Sequence, residues 1–304
     1  MDVSIRPVES NELGEGATTE SSMTDAPNSS PLQPTFSIVT ISFNQVQFLR
    51  ETIESVLSQT YPYVEYVVVD PGSTDGSREL IRRYRDRISH IIFEPDLGPA
   101  DGLNRGFAKT KGDLLGFLNS DDVLYPDALQ RVAHYFSRHP RIGVVSGHCD
   151  IIDGSGLKLR KMFSDRYNIR AAAHCACYLA QAATFFRRSA FRATDGFNNA
   201  NRVNWDAELW IDMAKAGTAF GRINAVLAGF RLHKQGITGS GSLKKLHEAS
   251  ASNFFRTILG RDPVGADEVR RMYYRLRRLV TNPRAYWETL AHGPIFGRTL
   301  VDGP

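Results

Sequence analysis

Five short apolar runs, each followed by a segment of helical spacing, constrain this 304-residue chain more than any other feature. Phe36–Ile41, Val64–Val69, Ile91–Phe93, Leu114–Leu118 and Ile142–Ser146 read as buried strands. Between them Leu49, Ile53, Val56 and Leu57, then Leu80, Ile81 and Tyr84, then Leu103 and Phe107, recur at helical spacing. A further helix opens at Pro126 and carries Leu129, Val132 and Phe136 on one face. Repeated β-α-β units of this length predict an α/β fold, a mostly parallel sheet sandwiched by helices. After Gly147 the pattern changes: Asp153–Gly156 reads as a hairpin turn, Trp205–Gly217 as a helix and Ala228–His233 as a late strand.

These signals divide the chain into residues 1–34, 35–146, 147–240 and 241–304, the middle two being halves of one domain. The first segment carries a net charge of −5 and almost no large apolar side chains, the composition of a disordered acidic tail. The formal charge of the whole chain is +4, so the remainder carries +9. A mildly basic body suits a polyanionic small ligand and falls short of a nucleic-acid binder. Cys149, Cys175 and Cys177 form no metal or disulfide pattern and are expected to be reduced. Neither a membrane span nor a secretory signal is visible, which predicts a cytoplasmic location.

Ligands of open parallel sheets bind beyond the carboxyl ends of the strands. Three polar clusters fall there: Thr40–Asn44, Asp70–Ser77 and Asn119–Asp122. Asp121 and Asp122 leave a wholly apolar strand, where uncompensated carboxylates are costly. They either hold a hard divalent cation together with phosphate oxygens or cap the next helix. Asp70 either caps a turn or accepts from a base or ribose. Neither a G-x-G-x-x-G nor a G-x-x-x-x-G-K-[ST] loop is present, which weighs against dinucleotide and NTPase folds.

Ser37–Asn44 (SIVTISFN), Val67–Ser77 (VVVDPGSTDGS), Glu94–Gly106 (EPDLGPADGLNRG) and Gly112–Asp122 (GDLLGFLNSDD) together resemble family 2 glycosyltransferases over about residues 36–240. The resemblance implies the GT-A fold, Rossmann-like, with residues 35–146 binding a nucleotide sugar and 147–240 binding the acceptor. It implies inverting transfer of a single sugar, commonly from a UDP-sugar, to a hydroxyl of a glycan or lipid-linked acceptor in cell-surface polysaccharide assembly. Thr40, Ser42, Asn44 and Asp70 would then meet the nucleoside, and Asp101, Asn104 and Asp121 the rest of the nucleotide sugar. Asp122 would hold Mg²⁺ or Mn²⁺, with His233 of an R-x-H segment reaching the metal or diphosphate. Pro71 departs from the acid that many members place after Asp70, which leaves the donor's base open.

The segment Trp205–Trp210 resembles the family's acceptor-side helix, with Asp206 as general base. Gln181 and Trp205 would lie on the acceptor side. Glu208 lies about 200° further round a helix and would not share the role. Processive synthases of the family carry membrane spans and a Q-x-x-R-W segment, both missing here. A non-catalytic carbohydrate-binding or scaffolding relative is the alternative. A sugar-nucleotide pyrophosphorylase would need a Gly-rich basic loop that the chain lacks. In the helical C-terminal extension, Val269, Met272, Tyr273, Leu276 and Val280 make one apolar face beside several arginines. Such a face packs on its own domain or, through 269–280, contacts an anionic membrane at its inner surface.

Overall fold

The computed structural model describes residues 33–233 and 244–293. The predicted acidic tail, but for its last two residues, and the loop after His233 lie outside the described residues. The first half runs β1 (Phe36–Ile41), α1 (Val46–Leu57), β2 (Val64–Val69), α2 (Ser77–Arg83), β3 (His90–Ile92), α3 (Pro99–Ala108), β4 (Leu114–Asn119), β5 (Val123–Leu124) and α4 (Ala128–Arg138). The second half runs β6 (Ile142–Ile152), β7 (Lys158–Met162), α5 (Ile169–Ala173), β8 (Thr184–Arg187), α6 (Arg188–Arg192), α7 (Trp205–Lys215) and β9 (Ala219–Arg231). Three helices follow, α8 (Lys244–Leu259), α9 (Ala266–Thr281) and α10 (Pro283–His292).

The strands form one sheet in the order β3-β2-β1-β4-β8-β6-β9-β5, with β7 added to β6. β3, β2, β1 and β4 are parallel, as the alternating pattern predicts. β8 runs antiparallel to both β4 and β6, and β6 is parallel to β9. The sheet is therefore parallel in its first half and mixed in its second. The expected hairpin at Asp153–Gly156 joins β6 to β7, where the Asp153 carboxylate accepts from the N–H groups of Ser155 and Leu157.

Both faces of the sheet are covered, which is why its strands are apolar on both sides. One face packs Ile38 and Leu118 against Leu49, Ile53, Ile81 and Val132 of α1, α2 and α4. The other packs Val39 and Phe117 against Leu103, Phe107, Leu209 and Trp210 of α3 and α7. Phe185 and Phe186 of β8 divide between the two faces and are core residues. Helix α3 approaches the sheet closely because it carries glycines: a Cβ on Gly106 would meet Val39 Cγ1 at 2.5 Å.

Candidate active site

Strands β2, β1 and β4 are neighbours, so the three polar clusters emerge side by side. The Ser42 N–H donates to Val69 O at 2.8 Å and the Ser120 N–H to Ile41 O at 3.1 Å. Asn44 has a left-handed backbone, φ 52°, that its short amide tolerates. It ties two loops together: its N–H donates to Ser73 Oγ and its Oδ1 accepts from the Thr74 N–H. Asp70 is buried and accepts from the Ser73 N–H and Oγ–H at 2.8 and 2.6 Å, and from Arg78 Nε at 3.4 Å. Asp70 thus organises its own turn. Ser42 Oγ is buried with no hydrogen-bond partner among the described residues.

Thr40 is corrected by the structure. It lies wholly inside the sheet with its hydroxyl accepting from Tyr66 at 3.0 Å, so its side chain lines no open pocket. Strand alternation accounts for this, because Thr40 shares the inward face with Ile38. Phe43, unremarked in the sequence, is 59% exposed between Ser42 and Asn44 and offers the edge a bare aromatic ring. A large apolar side chain in a polar turn was the available signal.

The acidic loop is held from below and from the side. Thr52 of α1 shares its hydroxyl between Ser120 O and Asp122 O, at 2.9 and 2.8 Å. Asp122 is fully buried, receiving the Arg231 N–H at 2.9 Å and the Asn119 amide at 3.3 Å. Burial, and next the adjacent charge of Asp121, push its carboxyl well above the usual range. Asp121 is partly exposed and meets His233 Nε2 at 2.9 Å. Asn119 also donates to Gln181 Oε1 at 3.3 Å, while Gln181 Nε2 donates to Phe117 O at 2.9 Å. The structure thus gathers Asp121, Asp122, His233 and Gln181 at one place.

Arg231 makes that gathering possible. Its side chain is only 1% exposed; Nε donates to Asp121 O at 2.8 Å, Nη1 to Asp153 O at 3.0 Å, and Nη2 pairs with Glu51 at 2.5 Å. The guanidinium lies 4.8 Å from the Phe48 ring centre, and the His233 ring 4.6 Å from the same ring. Nothing local in the sequence pairs position 231 with 51, 121 and 153.

Asp121, Asp122 and Glu51 face only the Arg231 guanidinium and the His233 imidazole, so the site holds more acid than base. This donor set fits a hard divalent cation completed by phosphate oxygens. It is not an all-protein cage: among the described residues no three ligating side chains are already clustered as metal ligands.

Asp206 stands in the first turn of α7, whose N-cap is Asn204, so it is not the cap. Burial raises its carboxyl, opposed by the N–H groups of Ala207 and of Asp206 itself. Glu208 is engaged elsewhere, accepting from Asn198 and Asn201 at 2.9 and 2.6 Å. Trp205 is buried in the cluster that contains Phe117 of β4, which links the start of α7 to the strand that delivers the acidic loop. Its indole Nε1 lacks a partner among the described residues.

Asp101 and Asn104 do not present free groups. Asn104 donates to Phe197 O at 2.8 Å and Asn199 Oδ1 at 3.1 Å, and accepts from the Phe197 N–H. Asp101 accepts from the Leu97 N–H at 3.0 Å and pairs with Arg105 at 2.9 Å. Together they clamp the 197–199 loop that leads to α7. At the opposite, amino edge of the sheet lies a cavity of about 450 Å³ lined by Tyr63, Glu65 and Lys111. Glu65 there already accepts from Ser37 and from the N–H groups of Lys111 and Gly112, so it offers no free chemistry. The three cysteines are free; burial, with Asp122 and Asp150 nearby, holds the Cys149 thiol well above its usual range and makes it inert.

The profile described as glycosyl transferase family 2 matches residues 37–194. An uncharacterized glycosyltransferase of Nostoc sp. is 39% identical over 122 residues, 39% of this chain and 38% of that protein. The Bacillus subtilis glycosyltransferase TuaG, provisionally assigned to teichuronic acid biosynthesis, is 33% identical over 102 residues, 33% of this chain and 40% of that protein. The chain therefore spans about two fifths of the length of these relatives. Among solved structures, Staphylococcus aureus TarS 1-349 in complex with UDP-GlcNAc superposes with a TM-score of 0.59 at 16% identity, over 85% of this chain and 76% of that one. That likeness supports the GT-A fold.

Proposed function

Because the chain belongs to glycosyl transferase family 2, we propose that it moves a single sugar, with inversion, from a nucleotide-diphosphate sugar to a hydroxyl acceptor. A UDP-sugar as donor is supported by the UDP-GlcNAc complex of TarS, which shares the fold. Assembly of a cell-surface polysaccharide or lipid-linked glycan is supported by the similarity to TuaG.

The observation that carries the reading is the buried Asp122 beside the Asp121–His233 pair at the carboxyl edge of β4. Ser42, Asn44 and Asp70 would frame the nucleoside, with the Phe43 ring as a stacking surface for the base. Asp121 would face the ribose and sugar. Asp122 and His233 would hold Mg²⁺ or Mn²⁺, which when bound offsets the charge of the departing diphosphate. Gln181 would keep the acidic loop in register through Asn119, and Trp205 would shape the acceptor side.

Asp206 takes the proton of the acceptor hydroxyl as that oxygen forms its bond to the anomeric carbon. The bond from that carbon to the diphosphate breaks at the opposite face, and the nucleoside diphosphate leaves with the electron pair. Asp101 and Asn104 contribute by fixing the loop ahead of Asp206. We place the protein in the cytoplasm; no helix among the described residues is long and apolar enough to cross a membrane.

The test is UDP release from a panel of UDP-sugars, with and without Mn²⁺ and with simple hydroxyl acceptors. Release in the presence of Mn²⁺ that falls at least a hundredfold in Asp122→Asn is the expected result. Sugar binding without release from any donor would favour the non-catalytic, carbohydrate-binding alternative.

A further inference from the structure

The helices α9 and α10 are attached to the domain by polar groups and turn apolar ones outward. Arg278 Nε donates to Asp165 at 2.9 Å, and Asn282 donates to Asp165 at 2.6 Å and to Ser164 O at 3.2 Å. From the other side, Arg160 donates to Glu288 O at 3.1 Å and the Lys161 N–H to Glu288 Oε1 at 2.6 Å. The Tyr274 ring stacks on His174, with ring centres 5.3 Å apart. These contacts fix which side of each helix faces the protein.

On the outward side of α9 lie Val269, Met272, Tyr273, Leu276 and Val280, from 55% to 83% exposed. At about 100° per residue they share one face within roughly 100° of arc. In α10, Trp287 and Leu290 are 67% and 57% exposed. A stripe of this kind on a folded protein marks an interaction surface.

Charge identifies the partner. On the same helical wheel Arg270 and Arg277 border the stripe on one side and Arg275 on the other, all exposed. The acids of the two helices are already engaged: Asp267 with Arg261 and Arg270, Glu268 with Arg271, Glu288 with the backbone of Lys161. A second copy docking through this face would set arginine against arginine. Residues 1–32, although acidic, carry no aromatic side chain, and their Met, Val, Ile and Leu residues are strewn from Met1 to Leu32 without the helical spacing of a face that would match the stripe. An apolar stripe with an aromatic ring, edged by arginines, matches the boundary of an anionic lipid bilayer, with acyl chains below and phosphates above.

We propose that α9 and α10 form a peripheral docking face for anionic membranes. The inference stands on this surface alone and does not depend on the glycosyltransferase chemistry. Its test is co-sedimentation of the full chain with phosphatidylcholine vesicles, with and without phosphatidylglycerol, at low and high salt. Pelleting should require phosphatidylglycerol and fade at high salt. Arg275→Ser with Arg277→Ser should weaken it roughly thirtyfold. Val269→Ser with Leu276→Ser should abolish it without lowering the melting temperature, since both side chains are exposed.

No pelleting of the intact chain on anionic vesicles at low salt overturns the proposal. So does binding that appears only when residues 294–304 are removed, because the chain's own end would then cover the stripe. Sedimentation equilibrium showing a dimer that the Val269→Ser, Leu276→Ser protein cannot form would assign the face to a second copy instead.

Discussion

At the scale of single residues the account turns on carboxylates whose surroundings differ. Asp206 is raised by burial, so within the fold its protonated form is favoured. In the proposed role of base it must be ionised, and the acid limb of kcat/KM is therefore expected above the usual carboxylate range of about 4. The same shift has a consequence for stability. A carboxyl raised in the fold costs nothing below its unfolded pKa and costs most above its folded one. Asp206→Asn should therefore lose ~10²–10⁴-fold in turnover while its melting temperature at neutral pH stays level or rises. A fall of several degrees would mark Asp206 as structural. Asp70, Asp121 and Asp122 were legible in the sequence because a polar cluster after a buried strand is a local signal, whereas His233 and Asp206 were legible only through the family resemblance of their segments. Arg231, Thr52 and Phe43 were not: the partners of the first two lie 65 or more positions away in the chain, and an isolated aromatic is ordinarily core. Thr40 misled because a polar residue near a strand end reads as edge, whereas Tyr66 satisfies it inside.

At the scale of elements, α3 shows how a helix can be read correctly and its purpose missed. Its spacing of Leu103 and Phe107 predicts the helix, but the role of Asn104 and Asp101 depends on the 197–199 loop, remote in sequence. Gly106 lets α3 lie against β1, and a larger side chain there must displace Val39 or the helix. Gly106→Leu should cost ~1–3 kcal/mol, read as a lower urea midpoint, and should reduce activity by loosening the loop before Asp206. An unchanged midpoint would show that the helix tolerates a wider spacing. The strands β1, β2 and β4 were legible almost to the residue, since continuous apolar runs end abruptly. β6 extends well past the predicted Ser146, because His148 and Asp150 look like loop residues; in the fold His148 bonds to Asn224 and the Ser164 N–H. β8 has only four residues and takes its direction from two distant partners, which no local pattern encodes.

At the scale of the molecule, the sheet gathers the candidate site at its carboxyl edge. Parallel order puts three loops from β1, β2 and β4 together, and β9 returns antiparallel to β5 so that Arg231 and His233 close over the acidic loop. The parallel half was legible as repeated β-α-β units, and the mixed half was not, since its pairings join residues as distant as 106 positions, Val123 with Gly229. The central claim is that this edge binds a nucleoside diphosphate through a divalent cation held at Asp122. Calorimetric titration of UDP with and without Mn²⁺, in the native protein and in Asp122→Asn, tests it most directly. The account predicts that Mn²⁺ tightens UDP binding at least tenfold in the native protein and has no effect in the variant, a difference of about 1.4 kcal/mol. UDP binding that is indifferent to Mn²⁺ in the native protein and unchanged by Asp122→Asn would contradict it.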